Sequence, residues 1–227
     1  MSDHFDQLMN EPEGKLGLNL SVFKDPLAAQ VSWEPMHPEG NSFTTHKLDL
    51  SRSEVISFQP TTWAKIIPII FAMAGGILIA LAIFDSAGAN IMLYIGILLF
   101  LMAAALIADQ LIVSTSFDKQ AGKVTQKRIL RHILGRPDAL HTLPLSDVYA
   151  LQILSERITT YDEENDRKSA YRSYELNLIL KNKERFHILD HADRQRIQVE
   201  AEQLAVFLEI PVWDQVKAKL LPEGDEH

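Results

Sequence analysis

The eight histidines are the residues best suited to metal chemistry, because the chain contains no cysteine. The lack of cysteine excludes disulfide frameworks, thiolate zinc sites, iron–sulfur clusters and thiol nucleophiles. His187 and His191 are four residues apart, a spacing that puts two ligands on one face of a helix. They span a predicted junction between a strand and a helix, however, and no glutamate completes an HExxH motif. We therefore predict no metal site and no cofactor.

Motifs of nucleophilic and nucleotide chemistry are also missing from the sequence. It contains no GxSxG and no GxGxxG, and Gly75 and Gly76 lie inside an apolar run where they cannot cradle phosphate. Carboxylates are plentiful, with 30 Asp and Glu against 22 Lys and Arg, but none of them form a pair at a recognisable catalytic spacing. The sequence therefore predicts a protein that is not an enzyme and has no catalytic residues.

A basic segment without acidic residues extends from Lys119 to Arg136. Its basic residues are Lys119, Lys123, Lys127, Arg128, Arg131 and Arg136. Basic residues beside a membrane attract anionic lipid headgroups, so this segment is predicted to contact lipid or a partner; alternatively, it only fixes membrane topology. Val124–Leu134 fits a strand, which we favour, or an interfacial helix. The formal net charge of -8 argues against nucleic acid.

Two uncharged apolar runs, Ile66–Phe84 and Ile91–Ala108, lie between the two halves of the chain. As helices they would each be about 27–29 Å long, close to the thickness of the hydrocarbon core of a bilayer. The intervening Asp85–Asn90 is short and rich in turn-forming residues, so the runs are predicted to form an antiparallel hairpin over residues 66–113. A helical hairpin buried in a soluble protein is the alternative, but a chain this small rarely encloses two such helices.

The charges around the runs predict how the hairpin is oriented. The link carries no Lys or Arg, whereas Lys65 precedes the first run and the basic segment follows the second. Under the positive-inside rule both termini are cytoplasmic, in a bacterial inner membrane crossed twice. The residues near Met1 are polar and acidic, which argues against a cleavable signal peptide.

Small residues within the runs predict how the two helices pack. One row is Ala72, Gly76 and Ala80, and a shorter one is Ala104 and Ala108. Rows of this kind let helix backbones approach closely. We favour packing within the hairpin; the alternative is a homo-oligomer.

Outside the hairpin the sequence predicts an α+β cytoplasmic domain. Residues 1–29 read as a flexible arm and residues 30–65 as a β-rich segment, with a hairpin of Val31–Trp33 and Phe43–Leu50 followed by a short strand at Val55–Phe58. Residues 114–213 alternate strands and turns, and the period then changes to that of a helix from about Asp193 to Pro211. The acidic stretch Thr159–Ser173 reads as a solvated loop, and residues 214–227 as a tail.

Several short motifs carry a resemblance to a known family. They are Phe117-Asp118-Lys119 with Gly122, Leu143-Pro144-Leu145 with Asp147-Val148, Leu204-Ala205, Phe207-Leu208 and Ile210-Pro211. The pattern over residues 66–213 is similar to the two-span photosystem I assembly factor family, and to bacterial membrane proteins with a pleckstrin-homology-like domain. The resemblance implies a membrane α-helical hairpin joined to a pleckstrin-homology-like small barrel with a C-terminal helix. The arm around Trp33 and the acidic stretch depart from that family, so the photosystem role is not carried over.

Together these features predict a non-enzymatic membrane scaffold, assembly or accessory factor. Its expected partners are membrane lipids and a protein bound by the cytoplasmic domain. Two other functions are compatible with the sequence: a module that responds to anionic lipid, and a membrane immunity protein against a toxin.

Overall fold

The computed structural model describes residues 18–38, 44–84, 89–111, 114–127, 140–162 and 167–218. Within these residues the chain is mixed α/β, with three α-helices and two β-sheets. It divides into two units. The helix unit is Thr45–Leu143, and the terminal unit combines Met1–Thr44 with Pro144–His227.

The helix unit holds a five-stranded sheet whose strands are neighbours in chain order. They are β1 (His46–Asp49), β2 (Val55–Pro60), β3 (Ser114–Asp118), β4 (Lys123–Lys127) and β5 (Leu140–Pro144). Two helices, α1 (Thr62–Phe84) and α2 (Ala89–Leu111), lie between β2 and β3 in the chain. Because β2 and β3 pair antiparallel, the end of β2 and the start of β3 lie at the same end of the sheet. Both helices therefore leave the sheet from that end.

Alternation along these strands gives the sheet one buried and one polar face. Ile56, Phe58, Phe117 and Val124 are buried, and the rings of Phe58 and Phe117 meet edge to face with centroids 6.4 Å apart. The residues between them, such as Ser116, point to the opposite side. Burial in these strands therefore alternates with a period of two residues, as expected when one face of a sheet is covered.

The terminal unit holds a four-stranded sheet and one helix. Its elements are β6 (Val148–Asp162), β7 (Arg167–Leu180), β8 (Arg185–His191), α3 (Arg194–Leu208) and β9 (Val212–Asp214). The strand order is β8-β7-β6-β9, with β9 parallel to β6 and the other pairs antiparallel. A tight turn that includes Asn182 and Lys183 joins β7 to β8, and Lys183 has a φ of 72°.

The described part of the N-terminal region, residues 18–38, covers one face of this second sheet; we call it the arm segment. Ala28, Val31 and Trp33 form a hydrophobic core with strand residues that include Leu154 and Trp213. The indole Nε1 of Trp33 donates to the carbonyl oxygen of Ala28 at 2.8 Å. The arm segment is thus an integral layer of the terminal unit.

Helix α3 packs against β6 and β7 and supplies the layer on the other face. Ile197, Ala201 and Leu204 follow the helical period and are fully buried. Asp193 caps the helix, because its side chain accepts the backbone N–H of Arg196 at 3.1 Å. The helix ends at Leu208, before Pro211.

The predicted small barrel differs from the observed architecture. The described strands fall into two separate sheets, and no closed barrel joins them within the described residues. The reason is that β1 and β2 pair with β3, so the N-terminal strands complete one sheet while β6 to β9 form the other. The predicted boundaries at residues 29, 65 and 113 consequently do not separate the two units.

Two local predictions also need correction. Val31–Trp33 forms no strand; its two alternating apolar residues are buried through side-chain packing without a ladder of backbone hydrogen bonds. The stretch Thr159–Ser173, predicted to be a loop, continues β6 to Asp162 and starts β7 at Arg167. Its threonines and tyrosines favour strands. Residues 163–166 lie outside the described residues, as do residues 1–17.

Candidate membrane anchor and ligand cluster

Helix α1 is long and apolar enough to cross a membrane. Its 23 residues would span about 35 Å, and its mean hydropathy over the most apolar 18-residue window is 2.7. The helix starts after Thr61, whose hydroxyl oxygen accepts the backbone N–H of Ala64 at 3.3 Å. Pro68 lies inside the helix. Only 17% of the same window is buried, which is unlike the core helix of a soluble domain.

Most of the large exposed hydrophobic side chains in the described residues lie on α1 and α2. They include Trp63, Ile70, Met73, Ile77, Leu81, Ile83, Ile95, Leu98 and Leu101. Helix α2 also has 23 residues, but the fully described part of its apolar stretch is Ile91–Ala105, which alone is short for a membrane span. A large exposed apolar surface of this kind is typical of a site that contacts a membrane, a ligand or another protein.

The two helices touch through their backbones at two glycines. A Cβ atom placed on Gly75 would lie 2.7 Å from the carbonyl oxygen of Gly96, and one on Gly96 would lie 2.9 Å from that of Gly75. Both glycines are buried, as is Ala103 further along α2. The helices therefore approach more closely than any larger residue at this crossing would allow.

The predicted packing row is displaced by one residue from the observed contact. Gly76 has open space around it, and Ala80 and Ala104 are exposed, whereas Ala72 is half-buried. The Ala72-Gly76-Ala80 row follows a spacing of four, which drifts around the helix. The buried residues of the helix are Ala64, Pro68, Gly75 and Ala82, and the last three are spaced by seven, as in paired helices. The side chain of Ala108 lies outside the described residues.

Alanine at Gly75 is expected to destabilise the hairpin by about 1–3 kcal/mol, since the added methyl group would meet backbone atoms that cannot rotate away. The matched control is Gly76→Ala, whose methyl group meets open space one residue away. The measurement is the free energy of unfolding of the full chain in mild detergent. Equal stability of the two variants would contradict the close contact.

The structure describes three of the six predicted basic contact residues, and these three do not form one cluster. Lys119, Lys123 and Lys127 are exposed, and Arg128, Arg131 and Arg136 lie outside the described residues. Lys127 is paired with Ser114, near the end of the sheet from which the helices leave. Lys123 is paired with Asp118 at the other end, about 13 Å further along β4. The strand-or-helix alternative for Val124–Leu134 is resolved only for Lys123–Lys127, which form a strand.

A cluster of metal-ligand types occurs where the arm segment meets β7 and β8. One ligand atom from each of Glu175, His187 and Asp190 lies within 4.8 Å of the others. The His187 Nε2 atom is 3.3 Å from Asp190 Oδ1, and the rings of His37 and His187 meet edge to face with centroids 4.5 Å apart. Spacing in the sequence does not identify Glu175 and Asp190 as neighbours, because they come together only through the pairing of β7 with β8.

The hydrogen bonds of Glu175 assign it a structural role. Glu175 is 3% exposed. Its carboxylate accepts the backbone N–H groups of Met36 and His37 at 2.8 and 2.9 Å, and the side-chain amide of Asn177. Both oxygens thus already accept N–H donors, so a metal ion would have to displace them. The Arg185 guanidinium donates to the carbonyl oxygen of Glu34 at 2.6 Å. These bonds hold the polar end of the arm segment on the sheet.

His187 and His191, the pair singled out by their spacing, lie on opposite faces of the sheet. His187 is paired with Asn177 and His191 with Tyr174, and a register shift separates the two pairs. His191 is fully buried, and its Nδ1 accepts the backbone N–H of Asp193 at 2.9 Å. The two imidazoles therefore cannot share a metal ion.

Comparisons with known proteins do not assign the chain to a family. Neither the protein-family models nor the curated protein sequences contain a match to this chain.

Proposed function

We propose that the protein is integral to a bacterial cytoplasmic membrane, which it crosses twice through the α1–α2 hairpin, with both termini in the cytoplasm. The observation that carries this proposal is the outward-facing apolar surface of the two helices. A soluble monomer rarely exposes a contiguous apolar patch larger than about 300–600 Å². In a bilayer the same side chains would face lipid at no such cost.

The connection of the hairpin to its sheet supports the proposed orientation. Both helices leave the sheet at one end, so the strands before and after them belong on one side of the membrane. The 85–90 link would then face the periplasm. It lacks basic residues, as the positive-inside rule requires of a translocated segment.

We propose further that the terminal unit binds a protein partner, and that the protein acts as a non-enzymatic scaffold, assembly or accessory factor. Confinement to the membrane would raise the effective concentration of the unit near a membrane partner. The support is the resemblance in residues 66–213. Purification of the tagged full chain in mild detergent is expected to recover a stoichiometric partner; recovery of the chain alone would count against this role.

Membrane insertion is tested by a charged substitution in the middle of α1. The full chain is expected to sediment with bacterial membranes and to resist extraction at alkaline pH. Met73 is 63% exposed, so lysine there would be harmless in water but costly in hydrocarbon. Met73→Lys is therefore expected to reduce the inserted fraction. The matched control is Leu50→Lys, which changes an exposed apolar residue outside the hairpin. A wild-type chain that stays in the supernatant without detergent would overturn the proposal.

The cysteine-free chain allows the orientation to be measured with single introduced cysteines. In intact spheroplasts, a membrane-impermeant maleimide is expected to label Ser86→Cys in the link. Ser51→Cys, in the β1–β2 connection, should react only after the membrane is opened. Labelling of both sites in intact spheroplasts would contradict the proposed sidedness.

A further inference from the structure

The end of the first sheet from which the helices leave carries a row of polar and basic residues across four strands. Lys47 on β1 is paired with Gln59 on β2, and Ser114 on β3 is paired with Lys127 on β4. The β2–β3 pairing ends at Ser57 and Ser116, and the same register continued by two residues puts Gln59 beside Ser114. Paired residues point to the same face of a sheet, so these four side chains share one face. We call them the helix-end row.

The helix-end row lies close to the start of the proposed membrane region. Gln59 is three residues before α1, and Ser114 is three residues after α2, so the row is within about 10 Å of the helix ends. Lys47 and Lys127, at its two ends, are about 14 Å apart across three strand spacings. Both lysines are exposed. Exposed Lys65 and Trp63 in the first turn of α1 add a third cation and an aromatic residue typical of membrane interfaces.

Positive charge is concentrated at this end of the sheet face. The next row away from the helices contains Asp49, Ser57, Ser116 and Thr125, and the row after it pairs Asp118 with Lys123. Asp49, two residues from Lys47 on the same strand, accepts the backbone N–H of Ser51 at 3.0 Å. Asp49 and Asp118 thus lie farther from the helices than Lys47 and Lys127. Lys123 at the far end is paired directly with Asp118, whereas Asp49 attracts Lys47 from one row away.

We propose that the helix-end row, with Lys65, binds the phosphate of anionic phospholipid headgroups in the cytoplasmic leaflet. The inference rests on the proposed insertion of the hairpin and assigns its lipid contact to specific residues. Two lysines at the ends of the row provide the charge. The Ser114 hydroxyl and the Gln59 amide provide hydrogen-bond donors to phosphate oxygens, although the Gln59 Nε2 also donates to Ser57 Oγ at 2.9 Å. Lys119 and Lys123 are excluded from the contact, because they lie more than a Debye length of about 8–10 Å farther from the helices.

The test compares two double variants with the same change of charge. The full chain and the variants Lys47→Gln/Lys127→Gln and Lys119→Gln/Lys123→Gln are reconstituted into nanodiscs of phosphatidylcholine with and without phosphatidylglycerol. The readout is the enrichment of phosphatidylglycerol retained by each protein, measured by mass spectrometry after extraction from the discs. Each lysine near the surface is expected to contribute about fivefold. The helix-end variant should therefore lose about 25-fold in enrichment, and the far-end variant should resemble wild type.

The outcomes separate this inference from the proposal on which it rests. If the wild-type chain fails to enter nanodiscs or vesicles, the membrane proposal itself fails. If it enters but both double variants retain phosphatidylglycerol as well as wild type does, or lose it equally, only the helix-end row is wrong. If 10 mM inorganic phosphate removes the enrichment of phosphatidylglycerol, the helix-end row binds a free anion instead of a headgroup. Equal thermal stability of all three proteins in phosphatidylcholine alone controls for folding, and Lys127→Gln alone provides a milder variant with an expected fivefold loss.

Discussion

Replacement of Trp33 by alanine is expected to destabilise the terminal unit by about 3–5 kcal/mol. The indole is 1% exposed, stacks on Phe23 with ring centroids 5.4 Å apart, and donates to the carbonyl oxygen of Ala28. Its removal would leave a cavity between the arm segment and the sheet, next to Trp213. The measurement is hydrogen exchange of the backbone amides of β6 in the full chain in mild detergent. Loss of protection there would show that the arm segment holds the sheet.

The matched control for this prediction is Trp63→Ala. It removes the same side chain from a position that is 71% exposed in the other unit, so protection of β6 should not change. Equal effects of the two substitutions would contradict the assignment of Trp33 to the core of the terminal unit. Far-UV circular dichroism is suitable as a second readout, since both variants change the intrinsic fluorescence.

Acid is expected to weaken the terminal unit through His191. Burial lowers the pKa of His191 from 6.5 to about 4; Asp193 opposes this shift, and Arg196 adds to it. In the unfolded chain the imidazole gains a proton near pH 6.5, whereas in the folded chain it stays neutral until about pH 4. Its contribution to stability is therefore complete above pH 6.5 and is lost as the pH falls towards 4. At about 1.4 kcal/mol per pKa unit, the loss is about 3 kcal/mol.

The pH effect is measured as a difference between proteins, because carboxylates also titrate in this range. The free energy of unfolding is determined from pH 7 to pH 4 for the wild type, for His191→Phe and for the control His141→Gln, which changes an exposed histidine. The curve of His191→Phe should be flatter by about 3 kcal/mol, and that of His141→Gln should follow the wild type. Parallel curves for His191→Phe and wild type would show that His191 does not titrate differently on folding.

Local patterns were sufficient to predict many elements of the fold. The change of period near Asp193 identified α3, and the predicted alternation of strands and turns after residue 114 agrees with the strands β3 to β8. These patterns reflect residues three or four apart on a helix, or two apart on a strand, and need no knowledge of distant partners. The apolar run of α1 was equally clear, since length and composition alone define it.

Pairings between distant parts of the chain were not predictable in this way. The alternation of Val31 and Trp33 is typical of a strand, but the segment is held by side chains, notably by the carboxylate of Glu175, 139 residues beyond Met36. The basic segment is continuous in the sequence, but it runs through the β3–β4 hairpin. Lys123 therefore lies at the end of β4 far from the helices, and Lys127 lies at the end close to them. The glycine contact was misplaced by one residue, because both spacings fit the same helix and only the partner helix distinguishes them.

In the sequence, the helix unit is inserted between the two parts of the terminal unit. This order constrains when each unit can form during synthesis. The helix unit is one uninterrupted stretch of chain, so it can be finished before the last third of the protein has left the ribosome. The terminal unit closes around Trp33 and Trp213, one from each extremity, so its β-sheet stays without a complete covering until translation is nearly over. An early stop codon would therefore leave Ala28, Val31 and Trp33 of the arm segment without the strand residues that bury them, a natural target for quality-control proteases.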